Sequence, residues 1–380
     1  MHLDASFYGG NIVLHAIDGT SARLSIRPDV PTLTIDGPGA HYQWFAFRAL
    51  GAAGQTQSFV IENAGRASYP DGWDGYRVAV SDDGVAWNRC ATSYADGQLR
   101  FSHTPSGSVA WYAYFAPYSE ERQAAMLARA VAHGAVAEAL GSTVDGRPID
   151  LLRVGDSGPA IWVLARQHPG ETMASWWMEG FLARLLDPHD ALARSLRGQA
   201  RWFIVPNMNP DGSARGHLRV NAAGSNLNRV WADPSPTTAP EVFHVRNRMD
   251  REGVAICLDV HGDEGLPYVF IAGAEGSPSW DARRQALHDR FCAAYLEACP
   301  DFQMEFGYPK APPNEGNLLM CTAAVAERFH ALAMTLEMPF KDNANLPDER
   351  QGWSPERSIR LGAAALDPFR AALAALVSAQ

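Results

Sequence analysis

The rhythm of hydrophobic and polar positions changes near residue 115. Before it, short runs such as Arg23–Ile26, Gln57–Ile61, Tyr76–Val80 and Val109–Phe115 gather β-branched and aromatic residues, which suit a pleated, half-buried surface. Turn signals separate them: Asp36-Gly37-Pro38-Gly39, Pro70-Asp71-Gly72, Asp82-Asp83-Gly84 and Asp96-Gly97. Few windows sustain a helical period. The pattern predicts a small antiparallel β-sandwich or barrel over residues 1–116.

From residue 117 onward, strands and helices alternate. Glu120 to Leu140 is Ala-rich with apolar residues at helical spacing and Gly141 as a stop, so a helix is expected there. Ala160–Ala165 is a short apolar run and reads as a buried strand, followed by a helix over Thr172–Leu186. Trp202–Val205, Val254–Val260 and Ala331–Leu336 repeat the strand pattern, and Ser354–Val377 reads as a closing helix or helix pair. Such alternation predicts an α/β domain over 117–380, a parallel or mixed sheet with helices on both faces. The Pro-rich stretch Asp233–Pro240 suits a surface loop.

Composition narrows the class. The chain has 380 residues, 47% hydrophobic and 19% charged, a globular mixture with ample core. A net charge of −10 argues against nucleic acid or an anionic membrane as the main partner. Five cysteines without a C-x-x-C pair suggest a reducing compartment rather than a disulfide framework. The N-terminus shows no signal-peptide pattern and no stretch reaches the ~18 apolar residues of a membrane span. A soluble cytoplasmic protein is expected.

Candidate chemistry sits at strand ends. His168-Pro169-Gly170-Glu171 follows the Ala160–Ala165 run and precedes a helix, where open α/β sheets collect ligands. A helix turn beginning between His168 and Glu171 would let both face one point, with Pro169 suiting a helix start. His261, in Leu258-Asp259-Val260-His261-Gly262-Asp263, ends another apolar strand. Two histidines and a glutamate form a known catalytic zinc set, and Asp259 or Asp263 could orient an imidazole. Asn207-Met208-Asn209-Pro210-Asp211-Gly212 reads by itself as a strand ending in a double turn. Arg219, Asn228 and Arg229 lie in Gly-rich loops after that strand, and arginine forks bind carboxylates. Glu337 caps an apolar strand in Met334-Thr335-Leu336-Glu337-Met338-Pro339, a costly place for a carboxylate without a task.

The ordered set H-P-G-E, N-x-N-P-D-G, R…N-R, D-x-H-G and T-L-E resembles the zinc metallocarboxypeptidases of the carboxypeptidase A type. The Pro-Asn-Met-Asn-Pro-Asp-Gly run, the Leu-Asn-Arg motif and a β domain joined through Phe115-Ala116-Pro117-Tyr118 look most like the cytosolic carboxypeptidase subgroup. The resemblance implies a phosphorylase/hydrolase-type mixed sheet flanked by helices and one zinc ion per chain on His168, Glu171 and His261. It implies that Glu337 takes a proton from the attacking water and returns it to the leaving amine. Arg219 would steady the oxyanion, and Asn228 with Arg229 would grip the substrate's terminal carboxylate. The substrate would be a peptide or protein C-terminal tail. The N-terminal domain would shape the cleft or mediate homo-oligomer contacts.

Two positions depart from the family. Its active-site tyrosine has no counterpart between Pro309 and Leu336, which leaves Tyr308 as the nearest candidate. The basic pocket residue that suits removal of acidic residues is missing from Glu315-Gly316-Asn317-Leu318-Leu319-Met320, with Lys310 or Arg328 as substitutes. Two rival readings share the metal ligands: an amidohydrolase of small N-acyl amino acids, and a zinc-binding module without turnover.

Overall fold

The computed structural model describes residues 1–33, 39–51 and 53–378. The turn expected at Asp36–Gly39 falls almost wholly outside them. Residues 2–113 build two five-stranded sheets. One orders His2–Asp4, Ala46–Leu50, Val109–Ala113, Ala79–Ser81 and Asn88–Arg89, all antiparallel. The other orders Val13–Asp18, Ser21–Ser25, Gln57–Ile61, Gln98–His103 and Ala91–Ala95. In that second sheet Ser21–Ser25 runs parallel to Gln57–Ile61, a departure from the antiparallel expectation. The chain leaves after Ser25, lays Ala46–Leu50 into the first sheet and re-enters in the same direction, as a parallel pair requires. Phe59 and Ile61 alternate with half-buried Ser58 and Val60, so one strand face lines the core. There Phe59 meets Phe47, Phe101 and Tyr112 at ring separations of 5.2, 5.1 and 4.7 Å.

The next helix spans Glu120–Ala132, with Ser119 as its cap accepting from the Arg122 N–H at 3.2 Å. It stops eight residues before the expected end. Gly134 takes a left-handed φ of 97°, and Val136–Ser142 forms an exposed edge strand paired with Pro148–Val154. Alanine-rich sequence favours helix in isolation, but cross-strand pairing satisfies these backbone groups instead.

The larger sheet has seven strands, in the order Val136–Ser142, Pro148–Val154, Arg201–Val205, Ala160–Ala165, Ile256–Val260, Leu332–Glu337 and Phe270–Ala272. The four from Arg201–Val205 to Leu332–Glu337 are mutually parallel, so their carboxyl ends share one edge. Ala160–Ala165 is buried throughout. Its Ile161, Val163 and Ala165 join one hydrophobic cluster, and Ala160, Trp162 and Leu164 join the other. Helices therefore cover both faces, as the apolar run implied.

On one face, Met173–Leu185 crosses Pro355–Ala364 so closely that a Cβ on Gly180 would lie 1.9 Å from the Ile359 carbonyl oxygen. The closing segment is a helix pair, Pro355–Ala364 and Leu366–Ser378. All five cysteines are free and buried, Cys90 among the N-terminal strands and Cys257, Cys292, Cys299 and Cys321 in the later part. Among the described residues no helix is long and apolar enough to cross a membrane.

Arg89 and Tyr114 are among the residues that tie the N-terminal part to the later one. Arg89 donates to the carbonyls of Arg77 (2.7 Å), Phe340 (2.8 Å), Trp353 (3.0 Å) and Gln351 (3.1 Å). Tyr114 stacks on Phe340 at 4.4 Å.

Candidate active site

The chain leaves the Ala160–Ala165 strand through Arg166, whose φ of 61° is left-handed, an uncommon state for a residue with a Cβ. The buried Arg166 side chain secures that turn by donating to Ser175 Oγ at 2.9 Å and to the Pro169 carbonyl. Burial pulls its guanidinium down to about 10. The helix then begins at Met173 with Thr172 as its cap. His168 and Glu171 therefore both lie in the turn ahead of the helix, rather than on either side of its start as the spacing suggested. Gly170, between them, donates its N–H to the Leu218 carbonyl at 2.9 Å.

Glu171 is the hub. Its Oε1 lies 2.6 Å from His168 Nδ1, and its Oε2 lies 2.8 Å from His261 Nδ1. One ligand atom from each of the three residues falls within 4.8 Å of the others, and all three side chains are buried. The outward nitrogens are also held: His168 Nε2 is 3.0 Å from Asn226 Oδ1, and His261 Nε2 is 2.8 Å from Asp259 Oδ2. Two imidazoles and a carboxylate, buried, convergent and braced from behind, are a donor set that fits a zinc ion. Burial brings His168 down to about 4. His261 also suffers burial, but the carboxylates of Asp259 and Glu171 lift it well above the ordinary value. Burial opposes ionisation of Glu171, yet the two imidazoles hold its carboxyl below the usual range. Of the two aspartates near His261, Asp259 orients the ring. Asp263 instead accepts from the Gly265 and Leu266 N–H groups and the Tyr308 hydroxyl.

Glu337 ends the neighbouring parallel strand and is 6% exposed. Its Oε1 lies 3.1 Å from the Tyr308 hydroxyl, which shares its one proton between Glu337 and Asp263, while Oε2 has no hydrogen-bond partner among the described residues. Burial, with Glu171 and Asp263 adding repulsion, pushes its carboxyl well above the usual range. Glu337, Tyr308 and Asn228 line a single cavity of about 540 Å³.

Asn228 and Arg229 sit in the 3₁₀ turn Leu227–Arg229. Asn228 Oδ1 accepts from the Cys321 N–H at 2.8 Å, and Arg229 donates to the Asn228 carbonyl at 2.8 Å. Asn226 Oδ1 also accepts from the Asn228 N–H at 3.1 Å, so one side chain joins this turn to His168. Arg219 stacks over the Tyr69 ring at 5.6 Å and acts electrostatically on His168. Lys310 lines the cavity and pairs with Glu275 at 3.2 Å. Arg328 does not line it; its guanidinium pairs with Asp250 at 2.6 Å on the surface.

The N-x-N-P-D-G run is structural. Asn209 caps a short helix, and buried Asp211 accepts from Thr143 Oγ1 and the Asp145 N–H at 2.8 Å each. Sequence reasoning missed Arg166, Gln167 and Asn226. Gln167 bridges Asp259 and Trp231 Nε1, and its only signal was adjacency to His168.

Comparison with known proteins gives two family matches: the cytosolic carboxypeptidase N-terminal domain over residues 3–115, and zinc carboxypeptidase over residues 126–299. An uncharacterised Zymomonas mobilis protein is 47% identical over 95% of this chain and 94% of its own. Mouse cytosolic carboxypeptidase 3 is 32% identical over 50% of this chain, which spans only 19% of that much longer protein. A Pseudomonas aeruginosa metallo-carboxypeptidase, solved in complex with (2-guanidinoethylmercapto)succinic acid, is 41% identical with a TM-score of 0.93. That match covers 100% of this chain and 99% of the other.

Proposed function

The chain belongs to the zinc carboxypeptidase family, hydrolases that are metallopeptidases, and from that premise we propose that it removes the last residue from peptide or protein C-terminal tails. The observation that carries this reading is the convergence of His168 Nδ1 and His261 Nδ1 on Glu171, beside a cavity lined by Glu337. His168, Glu171 and His261 would hold one zinc ion per chain. When bound, zinc supplies Lewis-acid polarisation of the scissile carbonyl.

The remaining work falls to the side chains around it. Glu337, through its open Oε2, takes a proton from the attacking water and delivers it to the leaving amine. The Tyr308 hydroxyl steadies Glu337 through their hydrogen bond. Arg219 stabilises the developing oxyanion. Asn228 and Arg229 receive the substrate's free carboxylate, which confines cleavage to chain ends. In this reading residues 1–116 form a domain that borders the site, and residues 117–380 form the catalytic domain.

Terminal side-chain preference rests on the cavity. Lys310 supports removal of acidic residues, but its pairing with Glu275 puts both charges at the same place, so a terminal side chain of either sign finds a partner. The ligand of the Pseudomonas aeruginosa relative likewise joins a guanidine to a dicarboxylate. The relatives named cytosolic carboxypeptidases support a cytoplasmic site of action.

The test is metal content of the purified protein, with release of terminal amino acids from peptides ending in Glu, Lys or Leu. One zinc per chain with stepwise loss of terminal residues is expected, and the residue lost fastest reads the cavity. Zinc without release from any peptide would remove the peptidase reading for this chain.

A further inference from the structure

The reaction described above leaves the N-terminal sheets without a chemical task. Asp29 follows the Ser21–Ser25 strand, and its own N–H is fixed on the His41 carbonyl at 2.8 Å. The side chain is buried at 5% exposure. It accepts three successive backbone N–H groups from the later part of the chain: Leu218 at 2.8 Å, Arg219 at 2.9 Å and Val220 at 3.3 Å. On its other side, the Leu218 carbonyl takes the Gly170 N–H at 2.9 Å, between His168 and Glu171. The peptide that bears Arg219 is thus strung between an N-terminal carboxylate and the turn carrying two of the three ligand residues.

Arg219 has a second N-terminal neighbour, this one at its guanidinium. Tyr69 lies under it at 5.6 Å. The Tyr69 peptide is itself clamped on both sides by the buried Gln43 amide, N–H to Oε1 at 2.8 Å and carbonyl to Nε2 at 3.0 Å. Three residues on, a Cβ at Gly72 would lie 3.0 Å from the Glu264 carbonyl oxygen, so this segment also packs against the loop that follows His261.

A buried carboxylate is a costly adhesive between two parts of a chain, and apolar contact would join them at least as well. Its donors here are consecutive peptides centred on Arg219. We propose that Asp29 and Tyr69 are positioning residues for Arg219, so that the N-terminal sheets set both the backbone and the guanidinium of the group that meets the oxyanion. The inference rests on the reading of Arg219 given above. Its physical basis is preorganisation: a donor aimed in advance loses most of its effect when its position drifts.

The test uses the full-length protein with N-acyl dipeptides ending in Glu, Lys or Phe, and the variants Asp29→Asn, Tyr69→Leu, Arg219→Ala and the Asp29→Asn/Arg219→Ala double. Arg219→Ala is expected to lower kcat by about 10²–10³-fold. Asp29→Asn should lower kcat by about tenfold or more with KM nearly unchanged, and should cost nothing further in the double variant. Amide hydrogen exchange provides a readout independent of turnover: the N–H groups of residues 218–220 should exchange faster in Asp29→Asn at unchanged metal content. Multiplicative losses in the double variant, or unchanged exchange at 218–220, would overturn the proposal by making Asp29 a general structural contact. An Arg219→Ala protein with undiminished kcat would overturn the oxyanion reading itself, and this inference with it.

Discussion

At the scale of single residues, the metal ligand candidates were legible because each stands where a buried strand runs out, at His168, Glu171 and His261. Glu337 was legible for the complementary reason, a carboxylate closing an apolar strand. Replacing Glu337 by Gln keeps the shape and the Tyr308 contact but removes the proton acceptor. A fall in kcat of about 10²–10⁴-fold with zinc retained is expected; steady-state kinetics beside metal analysis would show it, and an unchanged rate would exclude Glu337 as the base. Of the residues that brace these groups, Asp259 was legible from its place two residues before His261, but those that reach in from distant chain were not. Asn226 joins His168 to Asn228 across 58 residues of chain, and Asp29 reaches Leu218 across 189. Neither partner leaves a local pattern, because the pairing is made by the fold. Arg166 was hidden in another way, since nothing in its neighbours announces a left-handed arginine.

At the scale of elements, strands with continuous apolar runs were read correctly, and the edge strand Val136–Ser142 was read as helix up to Leu140 because its alanines carry no β signal. The crossing of Met173–Leu185 with Pro355–Ala364 was equally invisible, although it fixes the helix that Glu171 leads into. Gly180→Ala should therefore cost about 1–3 kcal/mol or more through overpacking, whereas Gly198→Ala, where an added Cβ meets nothing, should be neutral or gain up to about 1 kcal/mol. Denaturant titration of the two variants distinguishes close approach from helix propensity.

Glu241, in the first turn of Pro240–Glu252, adds a pH term. Burial pushes its carboxyl from an ordinary 4.5 up to about 7, with Asp211 and Asp145 adding repulsion and the Asn221 hydrogen bond opposing. Between those values the folded protein holds a proton that the unfolded chain has released, so this group's contribution to stability falls as pH rises through that window. Glu241→Gln should flatten the dependence, as unfolding midpoints measured at about pH 5 and about pH 8 would reveal. Equal slopes in the two proteins would show that Glu241 titrates normally.

At the scale of the whole molecule, the N-terminal sheets and the larger mixed sheet share more than a linker. Arg89 holds four carbonyls from both parts, and hydrogen bonds to a charged group contribute about 1.5–3 kcal/mol each after exchange with water. Arg89→Ala should lower the thermal midpoint and split a single calorimetric transition into two. Lysine should not restore it, because one ammonium cannot reproduce the planar fork. A single, unshifted transition in Arg89→Ala would mean that the stacked Tyr114–Phe340 pair and its surroundings suffice. The two-part layout was readable from the change of rhythm near residue 115; the fastening between the parts was not, since Arg89 looks like any polar residue beside a turn.

The five buried thiols turn this architecture into its own gauge. Burial pushes Cys90 up to about 11 and Cys292 up to about 12, so at neutral pH they are protonated as well as shielded and react poorly. A thiol dye added to the intact protein finds little to label. Once the molecule breathes, Cys90 counts openings of the N-terminal sheets, while Cys257, Cys292, Cys299 and Cys321 count those of the remainder. The order in which the label arrives dates the loosening of each part, without any probe having to be engineered in.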